Sequence, residues 1–207
     1  QRQMCIRDSP MLSLVRFARW EQILAEPEPH APFAFARAIW HYGRGVAYAS
    51  MENKESALNE LAAIERLEPE VDEIFMGNVY PAKSLIGIAK SLLRGEISFR
   101  SSAMAAAVTS FEEAVAMQDA LPYTEPPFWY YPTRQSLGAA LLADGRAAEA
   151  QLVFEADLEQ YPMNGWSLYG LTEALNAQGL TASAEAARQR FETVWQFSDV
   201  TLSSSVL

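Results

Sequence analysis

Leu137, Leu141, Gly145 and Ala150 return as Leu171, Leu175, Gly179 and Ala184, each 34 residues later. A period of that length narrows the chain to very few architectures. Apolar residues at helical spacing, then a glycine, then a small alanine describe a helix, a turn and a second helix packed on the first. One such hairpin cannot bury its apolar side alone, so copies must stack. The fold expected is therefore all-α, a solenoid of antiparallel helix pairs.

A third copy lies upstream, where Gly45, Tyr48, Ala57, Leu61 and Pro69 keep the internal distances of Gly138, Leu141, Ala150, Phe154 and Pro162. Glycine admits a close helix approach, alanine sits at the crossing, Leu61 or Phe154 fills the space beside it, and proline stops the second helix. On these residues the chain resembles the tetratricopeptide repeat family. The match is best over 131–164, nearly as good over 38–71 and partial over 165–198, where Arg188 replaces the large apolar residue that the family favours. The loop Glu125-Pro126-Pro127-Phe128-Trp129-Tyr130-Tyr131-Pro132, followed by Arg134-Gln135-Ser136-Leu137-Gly138-Ala139, is similar to a subgroup of bacterial tetratricopeptide proteins.

The resemblance implies a right-handed α-α superhelix and no assigned chemistry. It also implies that the first helix of each pair lines a concave wall, which would place Tyr42, Val46 and Ala49 there, with Gln135, Ala139 and Leu142, and with Trp166, Tyr169, Glu173 and Asn176. Such a wall is small, aromatic and weakly acidic. It lacks the lysine and asparagine array with which some family members clamp a terminal carboxylate.

With 207 residues, half of them hydrophobic, the chain is long enough to bury one continuous core, and a single elongated domain is expected. A net charge of −10 argues against nucleic acid or an anionic lipid surface as the main partner, because both are held by clustered Lys and Arg. A basic or neutral protein or peptide suits it better. The longest apolar stretch, Ala82–Leu93, is interrupted by Lys83 and Lys90, so no membrane span is expected. The compartment stays open, with a soluble, cytoplasmic setting favoured.

Met4-Cys5-Ile6-Arg7-Asp8-Ser9 resembles a translated sequencing-library adapter, which Gln1-Arg2-Gln3 continues. Residues 1–9 are therefore expected to be non-native, the single cysteine with them, and the chain to be a carboxy-terminal piece of a longer protein.

Residues 10–30 read as a partial repeat, with one helix over Ser13–Ala25 that ends at Pro27 and Pro29. Phe33–Met51 and Glu55–Leu67 form the first whole pair, with Asn53 as a helix cap. Gly45 and Gly138 are 93 residues apart, not a multiple of 34, so 72–130 is read as one enlarged pair. Its helices are expected over Val71–Arg100, with a break near Tyr80-Pro81, and over Ala103–Leu121. Four more follow at Pro132–Ala143, Ala147–Gln160, Gly165–Ala177 and Thr181–Phe197, with Pro132 at a first helical position, Asn164 as a cap and turns at Asp144-Gly145 and Gln178-Gly179. Residues 199–207 are expected to be a flexible tail.

Catalysis within this stretch is not expected, and neither is a cofactor. Only His30 and His41 are present, without a second ligand at metal spacing. No serine sits at a strand-turn-helix elbow and no glycine-rich phosphate loop appears. The pairs Glu112-Glu113 and Asp72-Glu73 lie on predicted helices, where carboxylates usually face water. Phe128-Trp129-Tyr130-Tyr131 can form a ledge for a partner, but covering the apolar gap left by the register slip is the favoured role. The function expected is a non-catalytic scaffold that binds a peptide or helix. The alternatives are an accessory region of a larger enzyme and a self-association module, the latter permitted by the apolar run Val194-Trp195-Gln196-Phe197.

Overall fold

The structure is a computed structural model and describes residues 10–30, 33–71 and 81–206. Every regular element among them is helical. The chain divides into two compact units, the first ending at Tyr131 and the second beginning at Pro132, where a single elongated domain was expected. The division falls at the end of the proline-rich loop, a stretch in which no helix forms. The adapter-like residues, Asp72-Glu73 and the break at Tyr80 lie outside the described residues.

The first unit contains α1 (10–16), α2 (Trp20–Ala25), α3 (Ala34–Ser50), α4 (Lys54–Leu67), a 3-10 turn at Glu68–Glu70, α5 (Ala82–Arg100) and α6 (Met104–Asp119). Helix α3 packs on α2, α4 and α5, and α5 packs on α6. The second unit contains α7 (Arg134–Ala143), α8 (Ala147–Gln160), α9 (Gly165–Ala177) and α10 (Thr181–Trp195). In it α8 packs on both α7 and α9, and α9 packs on α10.

One turn closes the first helix of every pair. The second residue after the helix adopts a left-handed conformation, and the next N–H reaches back five residues to a carbonyl, which satisfies an orphan acceptor at the helix end. Gly145 (φ 76°) and Gly179 (φ 74°) take this place, with Arg146 N–H bonded to Leu141 O at 2.9 Å and Leu180 N–H to Leu175 O at 3.0 Å. Glu52 (φ 61°) and Ser102 (φ 58°) do the same without glycine, through Asn53 to Tyr48 at 2.8 Å and Ala103 to Ser98 at 2.9 Å. So does Ala18 (φ 51°), through Arg19 to Leu14 at 2.9 Å. The single helix expected over Ser13–Ala25 is thus two short helices with that same turn between them, and Ala18 precedes Glu52 by 34 residues.

The crossings follow from residue size. Ala150 is fully buried, and the Phe154 ring wedges between Gly138 and Gly170, where an added Cβ would lie 2.2 and 2.3 Å from the ring. Phe111 stands in the same relation to Gly95, at 2.3 Å, with Ala107 and Ala114 fully buried beside it. Gly45 differs from the expectation. Leu93 of α5 presses on it, at 2.5 Å from a built Cβ, because α3 packs on α5 as well as on α4.

Helix ends agree with the composition in most places. Asn53 caps α4 by accepting from Ser56 N, Asn164 caps α9 by accepting from Trp166 N, and Pro69 lies in the 3-10 turn that ends α4. Pro132 instead precedes α7, which begins at Arg134, and its carbonyl accepts from Gln135 N at 3.0 Å. The segment after α10 is not a frayed tail over its whole length. Leu202 and Ser205 are buried, and Ser205 Oγ donates to Gln135 O at 2.9 Å. The outward side of α10 is polar, with Glu185, Arg188, Gln189 and Glu192 all exposed.

Candidate functional site

The ten residues expected on an open wall are not all accessible. Tyr42, Val46, Ala49, Gln135 and Ala139 are all buried, and Leu142 is half-buried. These first five are corrections to the expectation: helix phase shows which side of α3 or α7 is inward, but not what else settles on that side. At Tyr42 the cover is the proline-rich loop. Trp129 is 3% exposed and meets the Tyr42 ring edge-on at 5.5 Å, while the Tyr42 and Tyr130 hydroxyls lie 3.0 Å apart. The loop is tied further by Gln118 Nε2, which donates to Tyr131 O at 3.0 Å, and by the Arg16 guanidinium over the Tyr131 ring at 5.2 Å. Burial and then neighbouring tyrosines push the Tyr42 and Tyr130 phenols well above their ordinary range. Trp129 and Tyr130 therefore serve the interior more than a ledge.

The remaining four expected residues do come together. Trp166, Tyr169, Glu173 and Asn176 follow at three- and four-residue steps along one face of α9. Trp166 and Tyr169 are half-buried; Glu173 and Asn176 are exposed. The start of this face is fixed by Asn164, whose Oδ1 accepts from Trp166 N at 3.2 Å and whose Nδ2 donates to Asp157 Oδ2 at 3.1 Å. Ser167 Oγ donates to the same buried carboxylate.

Two aromatic residues that the sequence reading did not assign to the site back this face. Trp195 of α10 meets Trp166 edge-on at 5.5 Å, Phe191 meets Tyr169 edge-on at 5.6 Å, and Phe191 stacks on Trp195. Their four-residue spacing on α10 was the available signal. Gly165 lets Trp195 sit directly on the start of α9, since a Cβ there would lie 2.4 Å from the indole. The Tyr169 phenol is held above its ordinary value, first by burial and then by the Glu173 carboxylate. Of the run Val194-Trp195-Gln196-Phe197, Trp195 is committed to this packing and Phe197 is 93% exposed.

No family model, no curated protein and no solved structure matches the chain.

A polar cluster in the first unit was also missed. His41 Nδ1 lies 2.5 Å from Glu60 Oε2, and Arg44 Nε donates to Glu60 Oε1 at 2.8 Å. Arg44 reaches Leu24 O at 3.2 Å and the Tyr48 hydroxyl at 2.9 Å, with its guanidinium 4.5 Å from the Trp40 ring. Burial opposes ionisation of Glu60, but hydrogen bonds from His41 and Arg44 outweigh it and hold the carboxyl below its ordinary value. Both carboxylate oxygens are engaged, and the group ties α3 to α4. Among the described residues no group of three or more His, Cys, Asp or Glu can hold a metal ion, and no helix is long and apolar enough to cross a membrane.

Proposed function

We propose that the helix pairs are tetratricopeptide-like repeats and that the chain is a non-catalytic scaffold, holding a segment of another protein on the α9 face. The single observation that carries this reading is the stripe of Trp166, Tyr169, Glu173 and Asn176, accessible in part and backed by Phe191 and Trp195. The left-handed turns at Ala18 and Glu52, and at Gly145 and Gly179, each pair 34 residues apart, support the repeat reading. Aromatic side chains already braced by α10 lose little freedom when a partner arrives, so a modest contact yields useful affinity. Glu173 beside Tyr169, on a chain of net charge −10, favours a segment that carries Lys or Arg next to an apolar residue.

The test is selection from a displayed random-peptide library against the chain, with the Glu173→Lys variant as counter-selection. Peptides with a basic residue beside an aromatic or aliphatic one should be enriched, and Glu173→Lys should weaken them tenfold or more with an unchanged melting temperature. Enriched peptides that bind the variant equally well would remove the α9 face from the reading.

A further inference from the structure

Helix α9 carries one charged side chain, Glu173. It stands one turn beyond Tyr169 and one turn before Asn176, on the face described above. Among the described residues no hydrogen bond or ion pair engages the Glu173 carboxylate, the Tyr169 hydroxyl or the Asn176 side-chain amide. Three polar ends therefore share one strip without a partner in the chain.

No neighbouring cation neutralises that strip. The second unit has four arginines, no lysine and no histidine, against nine carboxylate side chains. Arg146 pairs with Glu149 at 2.6 Å, Arg188 pairs with Glu185, Arg190 donates to Pro162 O at 3.2 Å, and the Arg134 charge acts on Tyr161. An unpaired carboxylate in an acidic unit attracts a cation from outside.

Shape and hydration decide which cation fits. Burial and then the Glu173 carboxylate raise the Tyr169 phenol, so carboxylate and ring are near neighbours. Phe191 meets the Tyr169 ring edge-on at 5.6 Å and braces it. A planar guanidinium can lie against such a ring and give two parallel N–H bonds to the adjoining carboxylate, with further N–H groups left for the phenol oxygen or the Asn176 carbonyl. An ammonium concentrates its charge and three donors at one point and holds its water more tightly, so a half-exposed ring and a single carboxylate compensate it less well.

We propose that Tyr169, Glu173 and Asn176 form an arginine-selective subsite, which takes an arginine side chain of a partner segment, stacked on Tyr169 and bidentate to Glu173, and discriminates against lysine. Trp166, one turn before Tyr169, is left for the apolar neighbour of that arginine. The inference rests on the reading of the α9 face as the binding surface and names the side chain that the face selects.

The experiment titrates the full chain, labelled with nitrogen-15, with the end-blocked peptide Gly-Leu-Arg-Leu-Gly and with its counterparts carrying lysine or citrulline at the centre. Citrulline keeps the shape of arginine without its charge. Amide shifts should move along 166–176, and the arginine peptide should bind about fivefold or more tightly than the lysine peptide and about tenfold or more tightly than the citrulline peptide. Glu173→Gln, at an exposed position, should keep the melting temperature and bring the three affinities together, and Tyr169→Leu should reduce the preference for arginine over lysine while retaining that for lysine over citrulline. Equal affinity for the arginine and lysine peptides, both weakened by Glu173→Gln, would overturn the arginine assignment and leave the α9 face as the binding surface. Shifts confined to other helices, or none at millimolar peptide, would overturn both.

Discussion

Phe154 packs its ring onto Gly138 so closely that a Cβ at that glycine would stand 2.2 Å from the ring. Because Phe154 is fully buried and has Gly170 on its other side, the ring has nowhere to retreat. Gly138→Ala should cost about 1–3 kcal/mol, and Gly95→Ala against Phe111 should cost a similar amount. Gly87 is the control. A Cβ there would meet Met117 Sδ at 2.9 Å, but Met117 is 36% exposed and flexible, so it can swing away. Gly87→Ala should be neutral or should stabilise by up to about 1 kcal/mol through helix propensity. Urea denaturation of the three variants checks the order.

Glu52 and Ser102 hold left-handed conformations at turns where Gly145 and Gly179 hold the same conformation without a Cβ. A residue with a side chain spends roughly 1–2 kcal/mol to stay there. Glu52→Gly and Ser102→Gly should therefore raise stability by about 0.5–1 kcal/mol, the gain being reduced by glycine's freedom in the unfolded chain. Gly145→Ala should lower it by about 1–2 kcal/mol; a built Cβ there meets nothing within 4 Å, so the loss reports backbone strain alone. Thermal melts with the opposite sign at the two kinds of site would establish the equivalence of the turns.

These turns also show what the sequence could reveal. Helix spans with a clean period came through: Ala147–Gln160 and Gly165–Ala177 form as read, and Asn53 and Asn164 cap as their type predicts. Gly95 did not come through, although it precedes Phe111 by the same sixteen residues that separate Gly138 from Phe154. Its distances to Gly45 and Gly138 are 50 and 43 residues, so a search at period 34 passes over it. Ala18 was missed because alanine gives no sign of a turn. The α9 face was legible because its residues lie on one helix, and α10 merely braces it. Tyr42 misled because its burial depends on Trp129 and Tyr130, which arrive from nearly ninety residues away, a contact that no local pattern records.

Glu60 carries the acid sensitivity that can be argued from these contacts. Its folded carboxyl is held below the ordinary 4.5, so folding favours the ionised form. The stability it contributes is complete above that ordinary value and is lost as pH falls below it through the depressed folded value. Glu60→Gln, which leaves Arg44 and His41 without their anionic partner, should cost about 1.5–3 kcal/mol at pH 7. The gap between wild type and variant should close steadily below about pH 4.5. Denaturant titrations from pH 7 to pH 3 measure that gap, and a constant difference across the range would assign the loss to packing instead.

Tyr42 and Tyr130 make the complementary alkaline prediction. Their hydroxyls face each other at 3.0 Å, and each phenol is pushed well above its ordinary value of 10.0, foremost by burial. The folded chain thus keeps protons that the unfolded chain releases near pH 10, so stability is intact below that pH and falls as pH rises beyond it. Two phenolate signals should appear only together with unfolding in an ultraviolet titration. Tyr42→Phe leaves the Tyr130 hydroxyl without its buried partner, and Tyr130→Phe does the same to Tyr42, so each should cost about 1–2 kcal/mol at neutral pH. The double variant strands neither hydroxyl and should cost less than the sum of the two, a coupling that a double-mutant cycle reads directly. It should also lose much of the steep alkaline transition. Simple additivity, with that transition unchanged, would show that the loop is held by its indole and ring packing alone.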